Sequence, residues 1–282
     1  MSMEVREHGR VGVEILGIDL AQQLGPEEYD LVHHQLANHG VVFFRDQQIS
    51  EEQHIAFARA WGEINVNRFF AAHPRYPEIA LVVKEPWQEH NIGGGWHTDH
   101  SYDAHPALGS ILVARELPPR GGNTAFASMY LAYEDLPAYL KQEIAGLRAI
   151  HSARHVFGSA ARSSYGANDI EQDRIGNAGA ADELADVEHP IALVHPISGR
   201  KALFVNPAFT IGIAGWEKVA SEQLLSELYR HALDPLFAED FEWQSGSVAF
   251  WDNRATWHLA RNDYHGHRRE LHRITIEGVA LS

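Results

Sequence analysis

The chain has 282 residues, of which 45% are hydrophobic, and a formal net charge of −15. The length allows one large domain or two small ones. The negative charge disfavours binding to nucleic acid or to an anionic membrane, and the absence of cysteine excludes disulfides, thiolate metal sites and thiol nucleophiles.

The N-terminal residues and the apolar runs of the sequence indicate where the protein is located, and its composition limits the possible metal ligands. The N-terminal residues lack the pattern of a secretory signal, and no apolar run approaches the roughly 18 residues of a membrane span. We therefore expect a cytoplasmic protein without membrane association. Any metal must be held by histidine and carboxylate side chains, which favours Fe(II), Mn(II) or Zn(II).

Two helices are predicted near the start of the chain. Apolar residues at helical spacing indicate the first over 26–40, with Gly40 as its C-cap. Ser50 followed three residues later by Gln53 is the pattern of a capping box, and it indicates a second helix over 50–62.

Strands dominate the rest of the chain. In chain order, the segments with strand patterns are 41–46, 107–118, 124–129, 201–207, 247–253 and 272–280. One more amphipathic helix is predicted over 217–233. Because helices and strands do not alternate regularly, a doubly wound parallel sheet is disfavoured. A single β-sandwich or barrel-like core with helices packed outside fits better.

One segment differs from the rest in composition. Residues 158–183 are rich in Gly, Ala, Ser, Asn and Asp and contain few large apolar residues. This texture is typical either of a mobile lid or of a disordered insertion, and composition does not separate the two. No other segment reads as a linker.

A candidate metal site begins at "WHTD". His97 and Asp99 are two residues apart, so in an extended segment their side chains project from the same face. His258 follows a strongly apolar strand and is the best third ligand. Two histidines and one carboxylate leave three positions of an octahedron open, as in non-haem Fe(II) oxygenases. The alternative is that each histidine is an ordinary packing or surface residue.

Two arginines near the C-terminus suggest anion binding. If the run after Tyr264 is a strand, Arg269 and Arg273 share one face and Arg268 points to the other. The two guanidiniums would then lie roughly 13 Å apart, which suits two different anions near one metal. The alternative is a pair of surface arginines that form ion pairs with acidic residues.

Four motifs in order carry a family resemblance: "WHTD", "GGNTAF", "WDNRATWH" and "RRELHR". Together they resemble the taurine dioxygenase and 2,4-dichlorophenoxyacetate dioxygenase family, whose members are Fe(II)- and 2-oxoglutarate-dependent oxygenases. The resemblance covers nearly the whole chain, from 12–20 to the last strand. It implies one dioxygenase domain over 1–282, mainly β with flanking helices, in a double-stranded β-helix (jelly-roll, cupin-like) fold.

The resemblance also implies roles for individual residues. The positions that match the iron ligands are His97, Asp99 and His258. The positions that match the 2-oxoglutarate site are Thr124, Trp243 and Arg269. Those that match the pocket for the prime substrate are His73, Tyr76, Phe209 and Arg273, to which His100 is added as a neighbour of the iron ligands. For His73 and Tyr76, a proline-bracketed turn of ordinary surface residues is the alternative.

Two departures from the taurine dioxygenase pattern bear on the substrate. Gly93–Gly95 replace an asparagine-containing run, so we expect a pocket amide to be missing. His100 stands where a small apolar residue is found, and it could narrow the pocket, donate a hydrogen bond or point to solvent. These changes disfavour taurine itself, whereas Arg273 still favours an anionic substrate.

The implied reaction is hydroxylation of a small anionic molecule with consumption of O2 and formation of succinate and CO2. Sulfonates, sulfate esters, aryloxyalkanoates and other carboxylates stay open as substrates. The family commonly forms homo-oligomers, which we expect here too. Two other classes are a non-oxidative metal hydrolase with the same ligands and a non-catalytic jelly roll that binds small molecules. Thr124 and Arg269 favour the oxygenase, because neither rival needs a clamp for 2-oxoglutarate.

Overall fold

The structure, a computed structural model, describes residues 3–159 and 178–281, which form two facing β-sheets, two further small sheets and helices outside them. The strands are β1 (Glu4–Glu7), β2 (Val13–Leu16), β3 (Val41–Phe44), β4 (Ile64–Asn65), β5 (Ala80–Lys84), β6 (Gly109–Glu116), β7 (Thr124–Ser128), β8 (Arg148–His151), β9 (Val187–Pro190), β10 (Ala192–Val194), β11 (Lys201–Leu203), β12 (Thr210–Ile213), β13 (Ala238–Phe241), β14 (Val248–Asp252), β15 (Thr256–Ala260) and β16 (Arg269–Ile276). The helices are α1 (Pro26–His39), α2 (Glu51–Arg59), α3 (Met129–Asp135), α4 (Ala138–Glu143), α5 (Arg154–Phe157), α6 (Ala178–Asp182) and α7 (Lys218–Ala232).

The larger sheet has the strand order β1-β2-β3-β14-β6-β16-β4, and β5 also pairs with β16. Its pairs are antiparallel except for β2 with β3. The sheet that faces it has the order β13-β7-β15. This strand-rich core of two sheets confirms the prediction of a mainly β fold with helices outside.

Side chains alternate strictly between the two faces of the larger sheet. On β3, Val42 and Phe44 pack under the N-terminal helices, whereas Val41 and Phe43 pack into the space between the two sheets. Phe126 of β7 meets them there from the second sheet. Because the side-chain period of a strand is two, one continuous apolar run serves both layers of the core.

Both predicted N-terminal helices form. The first ends at Gly40 as predicted, whereas the second begins after Ser50 as predicted but ends at Arg59, before the predicted residue 62. Gly40 closes α1 with a left-handed φ of 76°, and its N–H donates to the carbonyl oxygen of Leu36 at 2.8 Å. At α2, the Ser50 hydroxyl accepts from the amide of Gln53 at 3.2 Å, and the side-chain oxygen of Gln53 accepts from the amide of Ser50 at 2.8 Å. This reciprocal pair satisfies two N–H groups that a helix start otherwise leaves unbonded.

The last strand differs in its bounds from the prediction of 272–280. It begins at Arg269 and ends at Ile276. Its first five residues pair with β5, from Arg269 opposite Lys84 to Arg273 opposite Ala80. The strand therefore includes both candidate anion-binding arginines in the part that pairs with β5.

The segment predicted as a lid or insertion over 158–183 falls mostly outside the described residues, which omit 160–177. On its C-terminal side, Asp182 of α6 accepts hydrogen bonds from the backbone and hydroxyl of Ser159. The lid stays a prediction. None of the helices in 3–159 and 178–281 combines the length and the apolar character that crossing a bilayer requires.

Candidate metal centre and cavity

Two histidines from distant parts of the chain are joined by backbone hydrogen bonds. The amide of His97 donates to the carbonyl oxygen of His258 at 3.2 Å, and the amide of His258 donates back at 2.8 Å. His258 lies on β15, which pairs with β7 and is thereby held in the second sheet. The bridge sets the two imidazole rings side by side, with centroids 4.1 Å apart.

The carboxylate of Asp99 completes a group that could hold a metal ion. One ligand atom from each of His97, Asp99 and His258 lies within 4.8 Å of the other two. Nε2 of His97 is 3.7 Å from Oδ1 of Asp99, and Nε2 of His258 is 3.9 Å from Oδ2. The structure thus brings the three predicted ligands together.

The charge states of these groups suit a divalent cation. Burial, reinforced by the ring of His97, holds the pKa of His258 well below its usual value, so this imidazole is neutral. Burial acts to raise the pKa of Asp99, but Arg273 and the histidines outweigh it and hold that pKa well below its ordinary range. Nδ1 of His97 lies 2.8 Å from the carbonyl oxygen of Gly95, and a proton there leaves Nε2 free as a ligand. Two imidazole nitrogens and a carboxylate form the donor set of a non-haem Fe(II) site.

A second layer of buried side chains lies behind Asp99. The hydroxyl of Ser110 on β6 donates to Oδ2 of Asp99 at 3.2 Å and accepts from Nδ2 of Asn253 at 3.3 Å. The side-chain oxygen of Asn253 accepts from the indole N–H of Trp251 at 2.7 Å, and its backbone carbonyl accepts from the hydroxyl of Thr98. These buried contacts fix the plane of the Asp99 carboxylate.

Arg269, Thr124 and Trp243 form a second cluster. Nη2 of Arg269 donates to the hydroxyl of Thr124 at 3.4 Å, and the indole N–H of Trp243 donates to the same oxygen at 3.0 Å. Burial lowers the pKa of Arg269 to about 10, so its guanidinium stays charged at neutral pH. Its Nε has no hydrogen-bond partner among the described residues. A buried cation with a free donor, beside a hydroxyl, can bind a carboxylate.

Arg273 lies on the same face of β16 as Arg269, but it contacts the metal group. Its Nη1 donates to both oxygens of Asp99, at 3.2 and 3.0 Å, and its guanidinium stacks 4.5 Å from the ring centroid of Phe70. Its Nε and Nη2 have no hydrogen-bond partner in the described part of the chain. Arg268 faces the other side, where it pairs with glutamates, as predicted. The alternative of two surface arginines is wrong, because Arg269 and Arg273 are 3% and 6% exposed.

Both clusters open into one cavity of about 470 Å³. The three predicted metal ligands, Thr124, Arg269 and Arg273 line it, and so does Phe209. Trp243 lies behind Thr124 and does not line it. Sequence reasoning missed several further wall residues, among them Phe70, Asn91, Tyr102 and Phe157. The expectation that a pocket amide is missing is wrong, because the side-chain amide of Asn91, two residues before Gly93, lines the cavity. Its Nδ2 donates to the carbonyl oxygen of Ala260 at 2.9 Å.

Three predicted substrate-binding residues are not brought to the cavity wall. Tyr76 donates its hydroxyl hydrogen to Glu52 of α2, and His73 stacks on the Tyr76 ring at 5.2 Å. His100 is buried, with Nδ1 2.8 Å from Oδ2 of Asp103, and it adopts a left-handed φ of 58°. Its ring therefore stabilises the turn after the metal group, and it neither lines the pocket nor points to solvent.

Comparisons with known proteins agree with this geometry. The family model described as taurine catabolism dioxygenase TauD, TfdA family matches residues 4–275. An alkylsulfatase from Acinetobacter baylyi is 32% identical over 96% of this chain and 83% of its own length. An alpha-ketoglutarate-dependent 2,4-dichlorophenoxyacetate dioxygenase from a Burkholderia species is 32% identical over 94% of this chain and 91% of its own. The crystal structure of a taurine dioxygenase from Burkholderia xenovorans superposes with a TM-score of 0.82 at 34% identity, covering 100% of this chain and 93% of that one.

Proposed function

The chain belongs to the taurine catabolism dioxygenase TauD, TfdA family, and we propose that His97, Asp99 and His258 hold the Fe(II) of its active site. The protein is an alpha-ketoglutarate-dependent dioxygenase of jelly-roll fold, and it uses Fe(II), 2-oxoglutarate (alpha-ketoglutarate) and O2. The observation that carries the site assignment is the convergence of the three side chains within 4.8 Å in a cavity that also contains two buried arginines.

The donor set fits Fe(II) on chemical grounds. The β-bridge between His97 and His258 holds two imidazole nitrogens, and the turn that follows holds the carboxylate of Asp99. These three donors leave half of the coordination positions of an octahedral metal for other ligands. When bound there, the iron with 2-oxoglutarate supplies the oxidising chemistry, and succinate and CO2 are the co-products. The protein keeps Asp99 ionised, His258 neutral and their ligand atoms oriented through Ser110 and Gly95.

Arg269 and Thr124 are the residues that we assign to the distal carboxylate of 2-oxoglutarate. Arg269 is a buried cation with a free Nε donor, and Thr124 can rotate its hydroxyl toward an added acceptor because Trp243 already donates to its oxygen. Gly122 passes close beside the guanidinium, and a Cβ there would lie 3.1 Å from Cδ of Arg269. Arg269 therefore packs closely against Gly122, and its side chain lines the cavity.

Arg273 is the residue that we assign to the prime substrate. Its side chain lines the cavity, its Nε and Nη2 have no hydrogen-bond partner among the described residues, and its neighbour Asp99 is assigned to the metal. The proposed reaction is therefore hydroxylation of a small organic anion, with sulfonates, sulfate esters, aryloxyalkanoates and other carboxylates as the candidate classes. Relatives named alkylsulfatase and 2,4-dichlorophenoxyacetate dioxygenase support this range. Homo-oligomeric assembly and a cytoplasmic location stay predictions.

Succinate formation tests the assignment of the metal ligands. We expect substrate-dependent conversion of 2-oxoglutarate to succinate in the Fe(II)-loaded protein and its loss in Asp99→Ala at saturating Fe(II). The matched control is Asp240→Ala, which removes an exposed carboxylate whose partner is Arg261 and should leave turnover unchanged. Turnover of Asp99→Ala at the rate of the unaltered protein would remove Asp99 from the site.

A further inference from the structure

The outer face of α7 carries a row of exposed side chains. Its inner face packs on the second sheet through Leu224, Leu225 and Leu228. The row consists of Val219, Glu222, Gln223, Ser226, Arg230 and, at the C-cap, Leu233. These residues lie on one line along the helix, because they are three, four or seven positions apart and seven residues make about two turns.

Two large apolar side chains stand at the ends of this row. Val219 is 67% exposed and Leu233 is 44% exposed. Val219 lies seven residues before Ser226 and Leu233 lies seven residues after it, so each is about 10 Å from Ser226 along the helix axis. Exposed apolar side chains of this size gain free energy when another surface covers them.

The charged residues of α7 are arranged about Ser226 with opposite signs. Glu222 lies four residues before Ser226 and Arg230 lies four residues after it, and Lys218 and Asp234 flank the row eight residues before and after it. These four charges cancel. The cancellation favours contact between two copies of the chain, which otherwise repel each other because each carries a formal net charge of −15.

A second copy of the same face is complementary to this row when the two α7 helices run antiparallel. A twofold axis at Ser226 brings Val219 to Leu233 of the partner subunit and Glu222 to Arg230 of the partner subunit. Each contact then occurs twice, because a twofold interface uses the same patch on both protomers. The small side chain of Ser226 at the crossing point lets the helix axes approach to the about 8–10 Å of packed helices.

Other arrangements of two α7 helices bring like charges together. In a parallel pair, Glu222 would meet Glu222 of the partner subunit. Sliding the antiparallel partner by one turn would bring Glu222 opposite either Glu227 or Asp234 of the partner subunit, and both are acidic. Like charges across an interface disfavour association. The charge pattern therefore favours one partner, a second copy of this chain, in one register.

We propose that the outer face of α7 is the interface of a homodimer, in which two copies pack antiparallel about a twofold axis at Ser226. The exposed ring of Tyr139 extends the interface from α4, since its hydroxyl donates to Glu227 of α7 at 2.6 Å. One helix face with such neighbours is smaller than the roughly 20–30 residues a side of a standard interface. We therefore expect a dimer with a Kd on the order of micromolar, which dissociates on dilution.

Charge reversal on α7 tests the interface in solution. Sedimentation velocity of the full chain from about 1 to 300 µM should show the mass rise from 31.6 kDa to twice that value. Glu222→Arg places an arginine opposite Arg230 of the partner subunit at two symmetric positions, so the Kd of the dimer should rise at least about 10-fold. Arg230→Glu should have the same effect. The double variant Glu222→Arg/Arg230→Glu exchanges the partners, and its Kd should return to within about threefold of the original.

Arg59→Glu is the matched control, because it alters the net charge as Arg230→Glu does. The Arg59 side chain is 64% exposed on α2, which packs on the larger sheet, whereas α7 packs on the second sheet. A chain that stays monomeric at all these concentrations would overturn the proposal. So would equal effects of Arg59→Glu and Arg230→Glu, or a double variant that associates as weakly as the single ones.

A cysteine on the twofold axis tests the register without a change of charge. The chain has no cysteine, and in the proposed dimer Ser226→Cys faces its counterpart at the about 4.4–6.8 Å between Cα atoms that a disulfide spans. We expect mild oxidation to give a covalent dimer. Val219→Cys is the control, since Val219 is 67% exposed in the same row but its two copies would lie roughly 21 Å apart. Equal cross-linking of the two variants, or none of Ser226→Cys, would contradict the proposed axis.

Discussion

Removal of the Ser110 hydroxyl tests how the protein holds its metal ligand. Ser110 is fully buried on β6, and Ser110→Ala deletes the hydrogen bond to Oδ2 of Asp99 while it leaves Arg273 and both histidines in place. A hydrogen bond to a charged group is worth about 1.5–3 kcal/mol. The loss of a partner behind a metal ligand typically weakens metal binding about 10- to 100-fold. We expect an increase of this size in the Kd for Fe(II), measured without oxygen by calorimetry or by quenching of tryptophan fluorescence.

The control for this experiment is another buried serine. Ser221 on α7 accepts from the amide of Ile213 at 3.2 Å, so Ser221→Ala also removes a buried hydroxyl with one hydrogen bond. Its loss should lower the melting temperature without changing the Kd for Fe(II). If Ser110→Ala bound Fe(II) within twofold of the unaltered protein, the orientation of Asp99 would not depend on Ser110, and our account of the second layer would be refuted.

Three further predictions concern the cosubstrate, acid stability and helix formation. Arg269→Ala should raise the Kd for 2-oxoglutarate by about 10- to 100-fold, because it removes a buried charged donor. Arg268→Ala, on the opposite face of β16, should leave this Kd unchanged. An equal increase of the Kd in both variants would contradict the arrangement of the two arginines on opposite faces. Burial and nearby cations lower the pKa of His54 to about 3. Below about pH 6.5 the unfolded chain therefore takes up a proton on this ring, whereas the folded protein keeps the ring neutral. The contribution of His54 to the free energy of unfolding is complete above that pH and falls by up to about 1.4 kcal/mol per pH unit below it. Between pH 6 and 4, the free energy of unfolding of His54→Leu, measured with denaturant, should fall less steeply with decreasing pH, by about this amount per pH unit, than that of His34→Leu, which removes an exposed histidine. Identical pH dependence of the two variants would contradict the assignment. Ser50→Ala should lower the free energy of unfolding by about 1 kcal/mol through loss of the α2 cap, and no change in the denaturation midpoint would show that the cap is unimportant.

Local sequence patterns were sufficient to predict helix termini and the alternation of side chains along a strand, because both depend on residues that are close in sequence. The C-terminal end of α1 follows from Gly40, and the start of α2 follows from Ser50 and Gln53, because the hydrogen bonds involved join residues close in sequence. The alternation on β16 follows from the period of a strand, which is why Arg269 and Arg268 face opposite sides as predicted. Residue spacing alone left the metal group undecided; the resemblance to a family resolved that choice.

Features that depend on long-range pairing were not predictable from local patterns. Short strands such as β8 and β12 have weak patterns of their own, and their pairing with each other stabilises them. The second layer at Ser110 and Asn253 joins residues 143 positions apart, so no local pattern could find it. His100 was placed in the substrate pocket because it follows the metal ligand Asp99 in the sequence. A neighbouring position does not determine where a side chain points, and the left-handed backbone of His100 turns its ring toward Asp103.

The central claim is that His97, Asp99 and His258 bind Fe(II) to which 2-oxoglutarate then adds beside Arg269. The most direct measurement is the visible absorption of the protein with Fe(II) and 2-oxoglutarate in the absence of oxygen. We predict a charge-transfer band in the unaltered protein, its loss in His258→Ala, and its appearance in Arg269→Ala only at a much higher 2-oxoglutarate concentration. A band of full intensity in His258→Ala, or no band in the unaltered protein, would contradict the account.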